Sequence, residues 1–316
     1  MLLYLSDQYT EHRTGKHPEC VDRIVRVNSA LRGEAGGPNW TQNCECPNWQ
    51  PAKPDILARV HNADYVQQLE QWCSEEKGQI ESDTYVSAGT WAAALLGAGA
   101  GIDAVQRVVT GTSQTAFCAM RPPGHHALPT GPMGFCVLNN IAIAAKEALK
   151  LGLERVLVVD WDVHHGNGTQ DAFYEDGQVG FFSIHRSPFY PGTGAESETG
   201  TGKGLGFTMN RPVTAGILKQ QFFDSLQIGL EAFAARVKPQ LILLSAGFDA
   251  HREDPVGGLC LESEDFGRLT QIVCDVAQSM CDGRLVSLLE GGYNLDRLPE
   301  SVLAHVETLH QFENQV

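Results

Sequence analysis

The stretch RVLVVDWDVHHGN, residues 155–167, is the strongest indication of the fold of this 316-residue chain. Its apolar run, residues 156–159, has the length and valine content of a buried strand in a parallel sheet. Four ionisable side chains follow this run: Asp160, Asp162, His164 and His165. Because side chains at i and i+2 of an extended segment point the same way, Asp162 and His164 can bind one metal ion together. The alternative is that the aspartates cap the following segment while the histidines lie at the surface.

Strand-like and helix-like segments alternate from about residue 87 onward. We predict helices at residues 88–109, 139–149, 218–237 and 264–280, and strands at residues 115–120, 155–159, 179–184, 241–245 and 285–289. This alternation predicts a mainly parallel sheet covered by helices on both faces. In such sheets, functional sites form at the carboxyl ends of the strands. Residues 33–54, which contain much of the proline and glycine, are predicted to form an irregular surface loop.

The composition excludes several classes of function. A formal net charge of −15 leaves no basic surface for nucleic acid or for an anionic membrane. That charge would attract a cationic substrate, such as a lysine-bearing peptide or a polyamine, or it serves solubility alone. The first ten residues lack the features of a signal peptide, and no run approaches the roughly 18 apolar residues of a membrane span. Nine scattered cysteines fit a reducing cytoplasm better than a disulfide framework.

Side chains that could bind a metal ion or take part in catalysis follow each of the predicted strands. They are His125 and His126 after residues 115–120, Asp160, Asp162 and His164 after residues 156–159, Ser183 and His185 after residues 179–182, Asp249 and His251 after residues 241–244, and Glu290 and Tyr293 after residues 285–289. A packed core accounts for any one of these strand ends. It does not account for all of them carrying metal-binding, acid–base or phenol groups.

These side chains supply the parts of a metal-assisted amide hydrolase. A three-ligand set that leaves positions open for water and substrate, as in catalytic zinc sites, would consist of Asp162, His164 and Asp249. His125 and His126 would carry protons, because imidazole titrates near neutrality. Tyr293 follows two glycines that let the backbone turn sharply. Its hydroxyl would then be placed to donate a hydrogen bond to an oxyanion that forms opposite the metal.

Six motifs of the chain resemble those of the zinc-dependent histone deacetylase family, within the arginase–deacetylase superfamily. They are RPPGHHA (121–127), GFCVLNN (134–140), DWDVHHGNGTQDAF (160–173), PGTG (191–194), SAGFDAHREDPVGG (245–258) and EGGYNL (290–295). The likeness extends from about His17 to Asn294 and is closer to the class II and bacterial deacetylase-like branch than to class I. It implies one deacetylase-like catalytic domain over residues 1–316, with the three-layer α/β/α arginase–deacetylase fold.

The resemblance implies a role for each group at the site. One zinc ion, with ferrous iron as the alternative, is implied at Asp162, His164 and Asp249. His126 resembles the general base, and His125, paired with Asp160, resembles the residue that protonates the leaving amine. Tyr293 resembles the residue that polarises the acyl carbonyl, which class IIa-type proteins of low activity replace by histidine. Asn167 stands behind the base, as in class II enzymes, where class I enzymes have an aspartate.

Structural ions and a substrate channel are implied by the same resemblance. One potassium ion is implied at Asp160, Asp162, His164, Ser183 and Ile184, and a second at Phe173, Asp176, Val179 and Phe207. Residues that would bind the substrate are Asp83, Gly134, Phe135, Tyr190, Val256 and Gly291. Tyr190 stands where a second channel phenylalanine is usual. The resemblance is also compatible with an oligomer.

Four functions compete for this site. The first is a deacylase that removes acetyl or other acyl groups from the Nε amine of lysine in proteins or peptides, and the second is an acetylpolyamine amidohydrolase. Val256 favours acyl-lysine, because the polyamine-selective eukaryotic relative has an acidic residue after the Asp-Pro of this loop. A two-metal ureohydrolase would need an aspartate at Gly166. A non-catalytic acyl-lysine binding module would lack the base or the tyrosine, yet His126 and Tyr293 are both present.

Overall fold

Seven parallel strands form the central sheet of the computed structural model, which describes residues 1–34 and 36–315. The strands of the chain are β1 (Leu2–Tyr4), β2 (Gly78–Gln79), β3 (Tyr85–Val86), β4 (Thr115–Cys118), β5 (Val156–Asp160), β6 (Val179–Arg186), β7 (Thr208–Val213), β8 (Ile242–Ala246) and β9 (Leu285–Leu289). The central sheet has the order β1-β4-β9-β8-β5-β6-β7, while β2 and β3 form a separate antiparallel pair. The predicted mainly parallel sheet is therefore confirmed, and the carboxyl ends of its strands lie at one end of the sheet.

Helices flank this sheet, which gives the predicted three-layer α/β/α architecture. They are α1 (Val21–Leu31), α2 (Trp40–Asn43), α3 (Pro54–Leu57), α4 (Ala63–Ser74), α5 (Thr90–Val109), α6 (Asn140–Lys150), α7 (Asn167–Phe173), α8 (Lys219–Val237), α9 (Asp265–Cys281) and α10 (Arg297–Glu313). α5 and α6 pack against each other and against the strands at the centre of the sheet. α8 contacts β5, β6 and β7, and α9 packs on α8 and α10. The strands between these layers are almost entirely buried.

The predicted segments are all present, with ends displaced by no more than two residues, which is the ordinary uncertainty of element ends. The remaining elements were not predicted; they are β1, β2, β3, β7, α1, α3, α4, α7 and α10, together with α2, which is described below. β1 has only three residues, and β7 includes Pro212, a residue that is found in edge strands but not in central ones. The predicted loop at residues 33–54 contains the short helix α2, which begins after Asn39, whose side chain accepts a hydrogen bond from the backbone of Thr41.

Small residues allow α5 to pack closely in the core. A Cβ at Gly99 would collide with the backbone carbonyl of Gln50, and one at Gly101 would meet Ala144 of α6 and Leu288 of β9 at 3.4 Å. By length and composition alone, α5 could span a membrane, but 67% of its most apolar 18-residue window is buried inside the protein. The apolar surface of α5 is therefore packed within the core. This packing brings α6, and the loop that precedes α6, close to the sheet.

Candidate active site

The chain leaves β5 and β8 side by side at the carboxyl end of the sheet. Asp160, the last residue of β5, lies in register with Ser183 of β6 and Ser245 of β8. Trp161 is fully buried, and its indole N–H donates to the carbonyl of Gly247 at 2.9 Å, which ties the two strand exits together. Because side chains alternate along an extended segment, the side chain of Asp162 faces away from Trp161.

Three side chains from these exits converge on one point. One ligand atom from each of Asp162, His164 and Asp249 lies within 4.8 Å of the others. The Nδ1 atom of His164 is 3.0 Å from Oδ1 of Asp162 and 3.1 Å from Oδ2 of Asp249. Both aspartates are fully buried. Two carboxylates and one imidazole that converge in this way form the donor set of a divalent metal site with open positions.

Backbone groups hold these carboxylates in place. Asp162 accepts a hydrogen bond from the N–H of Gly291, and Asp249 accepts one from the N–H of Val163, both at 2.9 Å. Gly247 and Gly291 pack directly against the carboxylate of Asp162, and a Cβ at either position would collide with it. Such outer contacts orient metal ligands and leave their other lone pairs available.

The electrostatics of the cluster favour a bound cation. Burial, followed by the negative charge of Asp162, raises the pKa of Asp249 to about 7. Although burial opposes it, hydrogen bonding to the two carboxylates raises the pKa of His164 to about 10. Two carboxylates this close in buried surroundings repel each other, and a divalent ion removes that repulsion. The residues present therefore fit the metal ion that the sequence predicts.

His125 and His126 lie above this cluster, each held by one hydrogen bond through Nδ1. His125 Nδ1 donates to a carboxylate oxygen of Asp160 at 2.9 Å. His126 Nδ1 donates to the amide oxygen of Asn167 at 2.7 Å, since an amide oxygen can only accept. The lone pair of neutral His126 is therefore on Nε2, the nitrogen that faces away from Asn167.

The two adjacent histidines differ in charge. Burial opposes protonation of His125, but the charges of Asp160 and Asp162 raise its pKa well above the ordinary value. Burial, followed by the positive charges of His125 and His164, holds the pKa of His126 well below the ordinary value. A neutral imidazole beside a cationic one supplies a proton acceptor and a proton donor at the same pH.

Tyr293 reaches the site from the turn after β9. Its ring lies 5.6 Å from the ring of Phe135 at a nearly perpendicular angle, and the guanidinium of Arg23 lies 4.8 Å from its centroid. Burial raises the pKa of Tyr293 well above its usual range. The phenol therefore stays protonated and can donate a hydrogen bond.

A cleft of about 230 Å³ leads from the surface to these groups, and it is lined by Asp83, His126, Gly134, Phe135, His164, Phe189, Tyr190, Val256 and Tyr293. The predicted substrate-binding residues line it, except Gly291, which lies deeper and contacts Asp162. Phe189 was missed: its ring stacks on His164 at 5.1 Å. Phe189 could have been predicted from the segment Pro188-Phe-Tyr-Pro191, in which prolines stand on both sides of two aromatic residues.

The residues predicted for potassium lie in two groups. Asp160 ends β5 and lies in register with Ser183 of β6, which Ile184 follows, and the Asp160 carboxylate accepts the hydrogen bond of His125. The second group lies between α7 and β7, and its Asp176 carboxylate pairs with Lys146 Nζ at 2.7 Å. Asp176 also borders an open cavity of about 930 Å³, which shares no lining residue with the cleft or the three-ligand cluster. Both potassium sites remain predictions.

A buried ion-pair network connects the segments that carry the site. The carboxylate of Glu19 contacts Arg121 through two hydrogen bonds, at 2.5 and 2.7 Å, and Arg23 at 3.0 Å. All three side chains are fully buried. Arg23 also donates to the carbonyls of Glu290 and Gly292, at 2.5 and 2.6 Å. The network therefore joins the start of α1, the loop that precedes His125 and the turn that precedes Tyr293.

Glu19→Gln is expected to lower the free energy of unfolding by about 3–5 kcal/mol, because two buried guanidinium groups lose their shared carboxylate. Urea denaturation of the variant and the parent measures this difference. The matched control is Glu11→Gln, since Glu11 pairs with Arg13 at the exposed surface and should contribute little. Equal shifts for the two variants would contradict a structural role for the Glu19 network.

Glu290 is a further residue whose role the sequence did not predict. One of its carboxylate oxygens accepts from the N–H of Gly124 at 2.6 Å and of His125 at 3.1 Å, and the other accepts from Ser245 at 3.0 Å. It therefore fixes the backbone that presents the two histidines. Its place after a strand was visible in the sequence, but its partners lie 45 to 166 positions away.

The chain is similar to several other proteins in sequence and in structure. A sequence model of the histone deacetylase domain matches residues 17–309. The rice (Oryza sativa subsp. japonica) protein named histone deacetylase 10, chloroplastic, is 41% identical over 315 residues, which cover 95% of this chain and 71% of that protein. A protein of Archaeoglobus fulgidus named a probable deacetylase is 39% identical and covers 97% of this chain and 85% of its own length. The crystal structure of the HDA15 HD domain superposes with a TM-score of 0.91 at 34% identity, over 98% of this chain and 88% of that one.

Proposed function

This chain belongs to the histone deacetylase family, and from that membership we propose that it hydrolyses the acyl–amine bond of acetyl-lysine in proteins or peptides. One observation carries the proposal: a single cleft ends at the three-ligand cluster, at the neutral His126 and at the hydroxyl-bearing Tyr293. These groups are the parts that hydrolysis of an unactivated amide requires.

A divalent metal ion would be held by Asp162, His164 and Asp249. Zinc suits this set of oxygen and nitrogen donors, and ferrous iron is the alternative. When bound, such an ion would polarise the acyl oxygen and increase the acidity of a water molecule. The cleft reaches the cluster through His164, so the substrate and the ion would meet at its floor.

The protein's own side chains would move the protons. Nε2 of His126 accepts a proton as the attacking water adds to the acyl carbon. The cationic His125, held by Asp160, donates a proton to the lysine nitrogen as the carbon–nitrogen bond breaks. The products are the acyl carboxylate and the free lysine amine. Tyr293 donates a hydrogen bond to the acyl oxygen while that oxygen carries negative charge.

The walls of the cleft suit the methylene chain of a lysine side chain. Three aromatic rings, those of Phe135, Phe189 and Tyr190, line it. The backbone N–H of Phe135 donates to Thr84 at 3.1 Å, and that of Gly134 donates to Asp83 at 3.2 Å, so the loop before α5 holds this wall. Apolar walls exclude water from the reacting bond and strengthen every interaction at the floor.

Tyr293→Phe should lower kcat by roughly 10²–10³-fold, the usual cost of one oxyanion donor. The substitution keeps the ring and its contacts with Phe135 and Arg23 and removes only the hydroxyl. Turnover of an acetyl-lysine peptide measures the effect, while metal content and melting temperature serve as controls and should not change. A phenylalanine variant with unchanged kcat would show that the Tyr293 hydroxyl takes no part in catalysis.

An acetylpolyamine is the second candidate substrate, because carboxylates lie at the mouth of the cleft. Asp83 lines the cleft, and its backbone N–H donates to the carboxylate of Glu81 at 3.3 Å. A second ammonium group on the substrate would be attracted there. Val256, which is apolar and lies on the wall, supplies no such charge, and this favours acyl-lysine.

A turnover panel tests the proposal. The enzyme loaded with zinc would be supplied separately with acetyl-lysine peptides, longer acyl-lysine peptides and acetylated polyamines, and the free amine would be measured. We expect the acetyl-lysine peptides to have the highest kcat/KM. Preference for polyamines would establish the second candidate. Binding of the acetyl-lysine peptide without turnover would refute an enzyme and leave a binding module.

A further inference from the structure

The turn that carries Tyr293 lies outside helices and strands, between β9 and α10. Gly292 has a φ of +121°, which glycine adopts without strain. Side chains hold this turn at two points before Tyr293: Asp162 accepts from the N–H of Gly291 at 2.9 Å, and Arg23 donates to the carbonyl of Gly292 at 2.6 Å. The buried N–H of Tyr293 itself requires a further partner.

That partner is Asp254, which follows the candidate ligand Asp249 in the loop after β8. One carboxylate oxygen of Asp254 accepts from the N–H of Tyr293 at 2.6 Å and from the N–H of Asn294 at 3.2 Å. The other oxygen accepts from the N–H groups of Val256 and Gly257, each at 2.9 Å. Asp254 is 9% exposed. One nearly buried carboxylate thus joins the tyrosine turn to the loop that forms the cleft wall at Val256.

We propose that Asp254 is a positioning residue, which sets where the hydroxyl of Tyr293 lies by holding the backbone of its turn. A carboxylate has lone pairs for all four N–H groups, and charge-assisted hydrogen bonds are short and directional. This inference rests on the proposed function, because it requires the Tyr293 hydroxyl to contact the acyl oxygen. Asp254 itself contributes no atom to the lining of the cleft or to the three-ligand cluster.

Asparagine cannot replace this carboxylate. It has nearly the same shape, but one of its two terminal atoms is an NH₂ group, which would face two N–H donors and could accept from neither. Either the Tyr293 turn or the Val256 loop must then move away. Displacements of about 1 Å at a catalytic group can cost on the order of 10²-fold in rate. Asp254→Asn should therefore lower kcat roughly 10- to 10²-fold, with the metal still bound.

A double-mutant cycle separates positioning from a general structural effect. The zinc-loaded parent, Asp254→Asn, Tyr293→Phe and the double variant would be compared by kcat on one acetyl-lysine peptide. If Asp254 acts through the Tyr293 hydroxyl, Asp254→Asn should cost almost nothing further once that hydroxyl is absent. Losses that multiply in the double variant would overturn the inference, and so would loss of the metal from Asp254→Asn.

Asp265→Asn is the matched control. Asp265 is also 9% exposed and also accepts a backbone hydrogen bond, from Glu262 at 2.8 Å, but it lies at the start of α9 outside the cleft. It should lower the melting temperature without lowering kcat. A fall in kcat equal to that of Asp254→Asn would show that the loss of any buried aspartate that accepts backbone hydrogen bonds has this effect. That result would overturn the inference.

Asp254→Glu replaces Asp254→Asn in the double-mutant cycle if the asparagine variant does not fold. It keeps the charge and both oxygens but extends their reach, so the same loss of kcat and the same lack of further cost in the Tyr293→Phe background are expected. Multiplying losses here would again overturn the inference. A parent enzyme that turns over no acyl-lysine would refute the proposed function and this inference together, whereas an active parent with multiplying losses refutes the inference alone.

Discussion

Asp249→Ala should give a folded protein that retains no stoichiometric divalent metal ion and has no measurable turnover of acetyl-lysine peptides. The substitution removes one of three ligands, and it removes the one that comes from a different strand than the other two. Asp162 and His164 lie two positions apart after β5 and cannot enclose an ion alone. Metal analysis of the purified variant and a turnover assay measure the two effects together.

The control for this variant is Asp224→Ala, which removes an exposed aspartate from α8. It should retain the metal and the activity of the parent. Because Asp249 also accepts a hydrogen bond from Val163, circular dichroism must show that the Asp249→Ala protein is folded. One equivalent of bound metal together with full turnover would show that Asp249 is not a metal ligand.

His126→Ala should lower kcat by roughly 10²–10⁴-fold, the usual cost of losing a general base. The metal should stay bound, because His126 makes its hydrogen bond to Asn167 and is not one of the three clustered ligands. The separation of rate from metal content is the informative result. It distinguishes a residue that accepts a proton from one that holds the ion.

His310→Ala is the control for this second variant, since His310 lies on α10 away from the cleft. It should leave kcat unchanged. Loss of the metal from His126→Ala would contradict our assignment and make His126 a ligand. A rate equal to that of the parent would show that a group other than His126 accepts the proton.

The sequence predicted the sheet and the positions of the main side chains because both depend on local patterns. The run at 156–159 was apolar and short, and the ionisable residues followed it directly, so the strand and its ligands could be read together. The same reasoning placed Asp249 after β8. Parallel strands then bring such residues together without any knowledge of side-chain conformation.

The remaining features depend on contacts between distant parts of the chain. Neither the sequence around Asp254 nor that around Glu290 indicates which backbone N–H groups their carboxylates accept from. The sequence of two adjacent histidines does not indicate the opposite pKa shifts of His125 and His126 either. Burial, together with nearby positive charge, lowers the pKa of His126, whereas the charges of Asp160 and Asp162 overcome burial and raise that of His125. β1 has three residues and joins the sheet through β4, more than 110 positions away, a pairing that no local pattern indicates.

The order of the strands has a consequence for how the chain can assemble. β9 is the last strand in sequence, yet it lies between β4 and β8. A nascent chain that ends before residue 285 can form only two separate pieces of sheet, each with an unpaired edge that is prone to association with other chains. The histidines follow β4, whereas the metal ligands follow β5 and β8, so β9 is the strand that joins the two parts of the sheet that carry the site. The strand order therefore predicts that the site is completed only after β9 has been synthesised.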